Sequence, residues 1–187
     1  MQNIPLIAGN NEEEIWQQIN KDLNKDEDIW QYQAAIEQGG QKIFLNIDID
    51  PGGGFESGYS TTTFTAPLLA SDDFNFAIHE EHFTDDIGKF FGMQDVVIGY
   101  PSFDDRFIIK TNNAAKAKAV FSNADVRETL LQLSPFTFAI MHHDADNNQA
   151  PSFLELNIED GITDTKALRK IYHAFYLVLQ VLNEVHK

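Results

Sequence analysis

Lys42-Ile43-Phe44-Leu45-Asn46-Ile47-Asp48-Ile49-Asp50 is the stretch of sequence that decides the fold. Its isoleucines and its leucine recur at every second position, which is the pattern of a β-strand with one buried face. The alternation places Leu45 and Ile47 together on the core face and Asp48 on the opposite face. We therefore predict a half-buried strand here.

Turn-forming residues stand on both sides of this strand, Gly39-Gly40 before it and Pro51-Gly52-Gly53-Gly54 after it. The runs 30–36 and 59–66 beyond these turns are therefore predicted to pair with it in an antiparallel meander. Four further runs have strand patterns: residues 74–79, 106–110, 136–142 and 154–158. The last two would form a second hairpin around the polar loop 144–149.

Helix signals precede three shorter segments. The first helix is predicted to begin after Asn10 or Asn11, before the carboxylates of Glu12-Glu13-Glu14, and to end near residues 24–28. Two short helices should follow the strand at 106–110. One is capped by Asn112 or Asn113 and runs through Phe121, and the other opens with the capping box Ser122-Asn123-Ala124-Asp125 and runs through Leu133.

The last element is a long helix capped by Thr163 or Asp164. Its apolar stripe consists of Leu168, Ile171, Phe175, Val178, Leu182 and Val185. So wide a stripe should lie across a sheet. The predicted fold class is therefore α+β, with an antiparallel sheet of about six or seven strands and the long C-terminal helix and two short helices packed on one face. The chain has 187 residues and no linker-like segment, so residues 1–187 are expected to form a single domain.

Charge is the main sequence feature that bears on partners. The formal net charge is −16, and residues 1–93 hold 17 acidic and 4 basic side chains, a net charge of −13. Such a field repels phosphate backbones and anionic lipid surfaces, so neither nucleic acid nor a membrane is an expected partner. A basic protein would be attracted, although solubility alone also explains an acidic surface.

The chain has no cysteine, which excludes disulfides, thiol nucleophiles and thiolate metal sites. Residues 1–9 lack the basic and apolar regions of a signal peptide. The longest largely apolar stretch, 174–182, is too short to span a bilayer. A cytoplasmic location is therefore expected.

The strongest local pattern for chemistry is His142-His143-Asp144-Ala145-Asp146-Asn147-Asn148. Asp144, Asp146, Asn148 and Glu155 fall at oxygen-ligand positions of an EF-hand calcium loop. Gln149 stands where that loop needs glycine, and the flanking segments alternate like strands. A solvated hairpin loop is the simpler alternative.

His79-Glu80-Glu81-His82 is a second cluster of possible metal ligands. Together with His142 and His143 it could supply two imidazoles and a carboxylate to one ion. In a metal-dependent hydrolase, such an ion would lower the pKa of bound water while a carboxylate acts as base. On a strand, however, His79 and His82 would face opposite sides, and polar residues at a strand end are the alternative.

Other catalytic signatures are missing from the sequence. The glycine-rich segment 51–58 lacks the Lys-Ser/Thr of a phosphate loop, and no Gly-x-Ser-x-Gly elbow occurs. No cofactor is predicted. The first hypothesis is therefore a non-enzymatic cytoplasmic module with an acidic surface that binds a protein partner. The alternative is a metal-binding protein or metal-dependent hydrolase that uses the loop 142–146.

Residues 88–95, Gly-Lys-Phe-Phe-Gly-Met-Gln-Asp, and residues 99–110, Gly-Tyr-Pro-Ser-Phe-Asp-Asp-Arg-Phe-Ile-Ile-Lys, resemble a family of uncharacterised bacterial proteins. In that family a Phe-Asp-x-x-Phe strand leads into a polar turn, two short helices and a further strand. The likeness covers residues 58–133 and implies no activity. The residues themselves suggest a structural role, in which Phe103 and Phe107 anchor the strand and the aspartates form caps or turns.

Overall fold

The computed structural model describes residues 4–9, 11–25, 30–53, 57–68, 73–80, 93–133, 135–142 and 152–184. It contains nine strands within these ranges: β1 (Leu6–Ala8), β2 (Gln31–Gln38), β3 (Gln41–Asp50), β4 (Tyr59–Pro67), β5 (Phe76–His79), β6 (Gln94–Asp95), β7 (Ile108–Thr111), β8 (Phe136–His142) and β9 (Ser152–Ile158). The described helices are α1 (Glu12–Leu23), α2 (Pro101–Asp104), α3 (Ala114–Val120), α4 (Ala124–Leu130) and α5 (Thr165–Glu184).

The nine strands form one sheet in the order β1-β2-β3-β4-β9-β8-β5-β7-β6. The α+β class is confirmed, but the prediction of six or seven antiparallel strands was wrong in two respects. The sheet has two additional edge strands, β1 and β6, and β1 pairs with β2 in parallel. These strands have three and two residues, which is too short for a period of two to be recognised.

A row of apolar side chains in register runs across seven strands and forms the centre of the core. Its members are Ala34, Leu45, Phe64, Leu156, Phe138, Ile78 and Ile109, each directly opposite the next. All seven are buried. The predicted register of β3 is confirmed, because Leu45 and Ile47 are buried while Asp50 is exposed and Asp48 is half-buried.

Helix α5 covers this row. Phe175 is fully buried between two aromatic rings of the sheet, with its centroid 5.8 Å from that of Phe138 and 5.9 Å from that of Phe64. The backbone N–H of Ala167 donates to the Asp164 carboxylate, so Asp164 is one of the two predicted caps. Leu168, Ile171 and Val178 of the predicted stripe are also buried, Leu182 is half-buried, and Val185 lies outside the described residues.

Helices α1, α3 and α4 each begin after an asparagine N-cap. Asn11 caps α1 by accepting from the Glu14 N–H, and Asn113 caps α3 by accepting from the Lys116 N–H. The predicted capping box of α4 is shifted by one residue. Its N-cap is Asn123, which accepts from the Asp125 N–H at 2.8 Å, and Ser122 lies before it.

The segment before β7 also differs from the prediction. Strand β7 begins at Ile108, and Phe103 and Asp104 lie in the short helix α2, which starts at Pro101. Proline is favoured in the first turn of a helix, because its fixed φ suits the helix and its missing N–H would have no helical acceptor there. Among the described residues, no helix is long and apolar enough to cross a membrane.

Replacement of Phe175 by alanine tests whether α5 is the main cover of the core. Since the ring is completely enclosed, Phe175→Ala should lower the free energy of unfolding by about 3–5 kcal/mol, as measured by urea denaturation. Lys166→Ala, on the exposed side of the same helix, should change it by less than about 0.5 kcal/mol. A loss below about 1 kcal/mol for Phe175→Ala would contradict this role.

Candidate functional site

Two of the six residues predicted as metal ligands lie in the described structure. His142 is exposed at the end of β8, where its Nε2 lies 2.6 Å from the Asn75 side-chain oxygen. Glu155 is half-buried in β9 and is opposite Ala139. Since residues alternate between the faces of a strand, His142 and Glu155 project from opposite faces of the sheet.

The other four predicted ligands, His143, Asp144, Asp146 and Asn148, lie outside the described residues. Within the described ranges, no three His, Asp or Glu side chains are grouped closely enough to hold a metal ion. The calcium-loop hypothesis therefore stays a prediction, because Glu155 alone of its four ligand positions lies within the described residues.

His79 is buried at the end of β5, and its environment sets its tautomer. Its Nδ1 lies 2.9 Å from the Glu80 carbonyl oxygen, which can only accept, so Nδ1 carries a hydrogen. Nε2 of His79 and Oγ1 of the neighbouring Thr137 are both buried and have no partner among the described residues. By strand alternation His79 and His142 face opposite sides of the sheet, so the two do not converge.

Asp104 explains the geometry of the turn at residues 98–100. Its two carboxylate oxygens accept three backbone N–H groups, those of Ile98, Gly99 and Tyr100, at 2.7–2.9 Å. Gly99 has a φ of 87°, a conformation that glycine adopts without strain. Asp104 is thus a turn-forming residue, as expected from the sequence.

The two phenylalanines of the same segment anchor it to the core. Phe103 and Phe107 are both buried, and their ring centroids are 5.0 Å apart. Phe107 also packs edge-to-face on Phe136 of β8 at 5.1 Å. These contacts and the Asp104 turn give this segment a packing role.

A cleft that sequence reasoning missed lies between α1, α4 and α5. It has a volume of about 530 Å³ and is lined by Glu12, Asp125, Glu128, Thr129, Lys166, Arg169, Lys170 and His173. The basic residues of the cleft lie three and four positions apart on the polar face of α5, and this spacing is recognisable in the sequence. The facing residues come from two distant helices and could not be assigned from the sequence.

Ion pairs across this cleft tie α1 to α5. Arg169 donates from Nε to Glu12 at 2.9 Å and from Nη1 to Glu13 at 2.6 Å, and His173 Nδ1 lies 2.9 Å from Glu12. The hydrogen bond from Arg169 lowers the pKa of the Glu13 carboxyl, and both carboxylates raise the pKa of Arg169. The charge of Arg169 is therefore already neutralised within the protein, while Lys170 donates to the neutral amide of Gln132.

The second face of the sheet presents hydrogen-bonding side chains. The described helices pack on the apolar face, and we use "open face" for the opposite side of β2, β3, β4 and β9. Its described residues include Gln31, Gln33, Asn46, Asp48, Asp50, Tyr59, Thr61, Thr63 and Asn157, and Lys42, Phe44 and Glu155 lie on the same side. All of them are exposed or half-buried.

Cross-strand hydrogen bonds hold these side chains in place. Gln33 donates to Asn46 at 2.9 Å, and Thr63 donates to Asn157 at 3.0 Å. The open face is therefore a pre-formed surface in which amide, hydroxyl and carboxylate groups have fixed positions.

Two aspartates stand at one end of the open face. Asp48 accepts from Tyr59 Oη at 3.1 Å and from Gln31 at 3.3 Å, and the hydrogen bond to Asp48 raises the pKa of Tyr59. Asp50 accepts from the backbone N–H of Gly52 at 2.9 Å. The described structure thus gives this end of the face two anchored carboxylates and a half-exposed aromatic ring.

No family model matches the sequence, and no curated protein matches it. Among solved structures, the chain is similar to the crystal structure of the mycobacterial trehalose monomycolate transport factor A, TtfA. The TM-score is 0.46 and the sequence identity is 6%, over 88% of this chain and 82% of that chain. A likeness this distant establishes neither a family nor a function.

The Asp104 turn is open to a direct test of stability. Asp104→Ala leaves three backbone N–H groups without their acceptor, and it should lower the free energy of unfolding by about 2–4 kcal/mol. Asp105→Ala removes an exposed carboxylate next to it and should change stability by less than about 0.5 kcal/mol. Equal effects of the two substitutions in urea denaturation would contradict the assigned role.

The calcium-loop hypothesis makes a separate prediction. A ligand that binds only the folded state raises the melting temperature, so millimolar calcium should stabilise the wild-type protein in a thermal melt. The double variant Asp144→Asn with Asp146→Asn should lose that response. An identical melting temperature with calcium and with a chelator would remove the hypothesis.

Proposed function

We propose that the protein is a non-enzymatic module that binds a basic protein partner on the open face of its sheet. The observation that carries the proposal is the open face itself, a pre-formed array of amide, hydroxyl and carboxylate groups on the side of the sheet opposite the described helices. A cytoplasmic setting and kinship with the bacterial family that the sequence resembles are parts of the same proposal.

The charge distribution supports a basic partner. Strands β2, β3 and β4 belong to the half of the chain that carries a net charge of −13. Negative potential over this half accelerates encounter with a positively charged protein and disfavours nucleic acid and anionic lipid. The anchored carboxylates of Asp48 and Asp50 lie where such a partner would be held.

The composition of the face supports a protein rather than a small molecule. Tyr59 is 54% exposed and offers both an aromatic surface and a hydroxyl, as residues at protein interfaces often do. The amides and hydroxyls of the row from Gln33 to Asn157 supply directional hydrogen bonds across four strands. A surface that extends across four strands suits an extended interface better than an enclosed ligand.

Neutralising the two aspartates tests this proposal. Protein bound to a column should capture a basic partner from a lysate of the source cells at low salt and release it at raised salt, because exposed charges are screened. With the partner then purified, Asp48→Asn with Asp50→Asn should weaken binding about three- to tenfold in titration calorimetry.

A matched variant controls for net charge. Asp105→Asn with Glu128→Gln removes two exposed carboxylates outside the open face, and it should change the affinity by less than about twofold. If both double variants weaken binding equally, the effect is one of overall charge and the open face is not the binding surface. The absence of any saturable partner at either salt concentration would contradict the proposal.

A further inference from the structure

The outer edge of β2 is only partly covered by β1. The Ala35 N–H donates to the Pro5 carbonyl at 2.9 Å, which shows that the backbone groups of Ala35 point towards β1. Alternate residues of a strand direct their backbone groups to the same side, so those of Gln33 and Gln31 also point outward. No described residue bonds the outward backbone groups of Gln31 and Gln33.

Pro5 explains why the pairing with β1 stops. In the parallel register Leu6 is opposite Ala35, so the next outward carbonyl along the ladder belongs to Gln33 and would need the N–H of residue 5. Proline has no N–H, so this bond cannot form. Among the described residues, no strand is therefore paired with the outward side of β2 at Gln31–Gln33, which is here called the β2 edge and which can accept another strand.

Apolar side chains are exposed around the same edge. Trp30 precedes β2 and is 49% exposed, while Leu6 and Ile4 of the neighbouring segment are 57% and 41% exposed. These are three of the five large hydrophobic residues that are exposed in the described structure. An exposed strand edge with apolar groups beside it is the usual setting for the addition of a strand from another chain.

Acidic side chains flank the β2 edge as well. Gln31 is hydrogen-bonded to Asp48 on the open face, and Glu37 is exposed at the other end of the strand. On the helix side, burial of the Tyr32 hydroxyl raises its pKa, and the nearby charge of Asp22 adds to that effect. A strand that carries basic residues therefore meets Asp48 and Glu37 on the side of the open face, whereas Asp22 on the helix side already forms an ion pair with Lys25 at 2.5 Å.

We propose that an extended basic segment of the partner adds to the sheet along the β2 edge and pairs with the backbone of Gln31 and Gln33. This inference rests on the proposed function and specifies how the partner is bound. A second copy of this chain is the less favourable occupant, because each copy carries a net charge of −16 and the two would repel each other.

Amide hydrogen exchange of the wild-type protein tests the pairing directly. The probe is a synthetic peptide of eight alternating lysine and valine residues. Binding should slow exchange at the Gln31 and Gln33 amides roughly tenfold or more when followed by NMR, because both would become ladder donors. The Asn46 and Thr63 amides, within the central strands, should show no such change.

Two substitutions of Gln33 separate the contribution of its backbone N–H to peptide binding from that of its side chain. Gln33→Pro removes the outward N–H, a change that edge strands tolerate because that group makes no bond within the sheet. It should weaken binding of the peptide roughly tenfold, whereas Gln33→Ala keeps the N–H and should stay within about threefold. If Gln33→Pro does not fold, the exchange measurement on the wild-type protein decides.

Several outcomes would overturn the inference. Peptide binding that leaves the Gln31 and Gln33 amides unprotected would place the peptide elsewhere, and failure of the peptide to bind would argue against strand addition. Protection of these amides that grows with protein concentration in the absence of peptide would assign the edge to a second copy. Capture of the partner that survives Gln33→Pro but is lost in the Asp48→Asn, Asp50→Asn variant would leave the proposed function standing without the β2 edge.

Discussion

The in-register row of apolar side chains that runs from Ala34 to Ile109 is the constraint on which the rest of the structure depends. Because side chains alternate strictly along a strand, fixing this row on one face also fixes the polar row on the other. A slip of one residue in any strand pair would bring amides and hydroxyls beneath Phe175 and expose the phenylalanines. The core and the open face are thus two sides of one pairing pattern.

Much of the fold was readable from the sequence, since the strands in the centre of the sheet have a clear period of two and α5 has a continuous apolar stripe. The elements that the sequence did not predict have physical explanations. β1 and β6 are held by pairing with distant segments and have too few residues to show a period. The α2 turn depends on Asp104 reaching back to three N–H groups, which no local pattern reveals.

The candidate site was predicted only in part. The alternation in β3 correctly placed Asp48 opposite the core, but its bonds to Gln31 and Tyr59 depend on cross-strand register. The wider set of predicted metal ligands, from His142 to Glu155, was drawn from positions along the chain and contains no information about which face of the sheet each residue takes. The strands place His142 and Glu155 on opposite faces. Likewise, the cleft between α1, α4 and α5 joins residues that are far apart in sequence.

The strand order also constrains how the chain can fold while it is being synthesised. β4 pairs with β9, so Pro67 has no partner until Phe153 has been synthesised. Until then, the hairpins formed by the first third of the chain have an unpaired inner edge. A bare edge of this kind pairs readily with other chains. Residues 1–67 hold 11 acidic and only 3 basic side chains, a net charge of −8, and like charges on two nascent chains oppose such pairing.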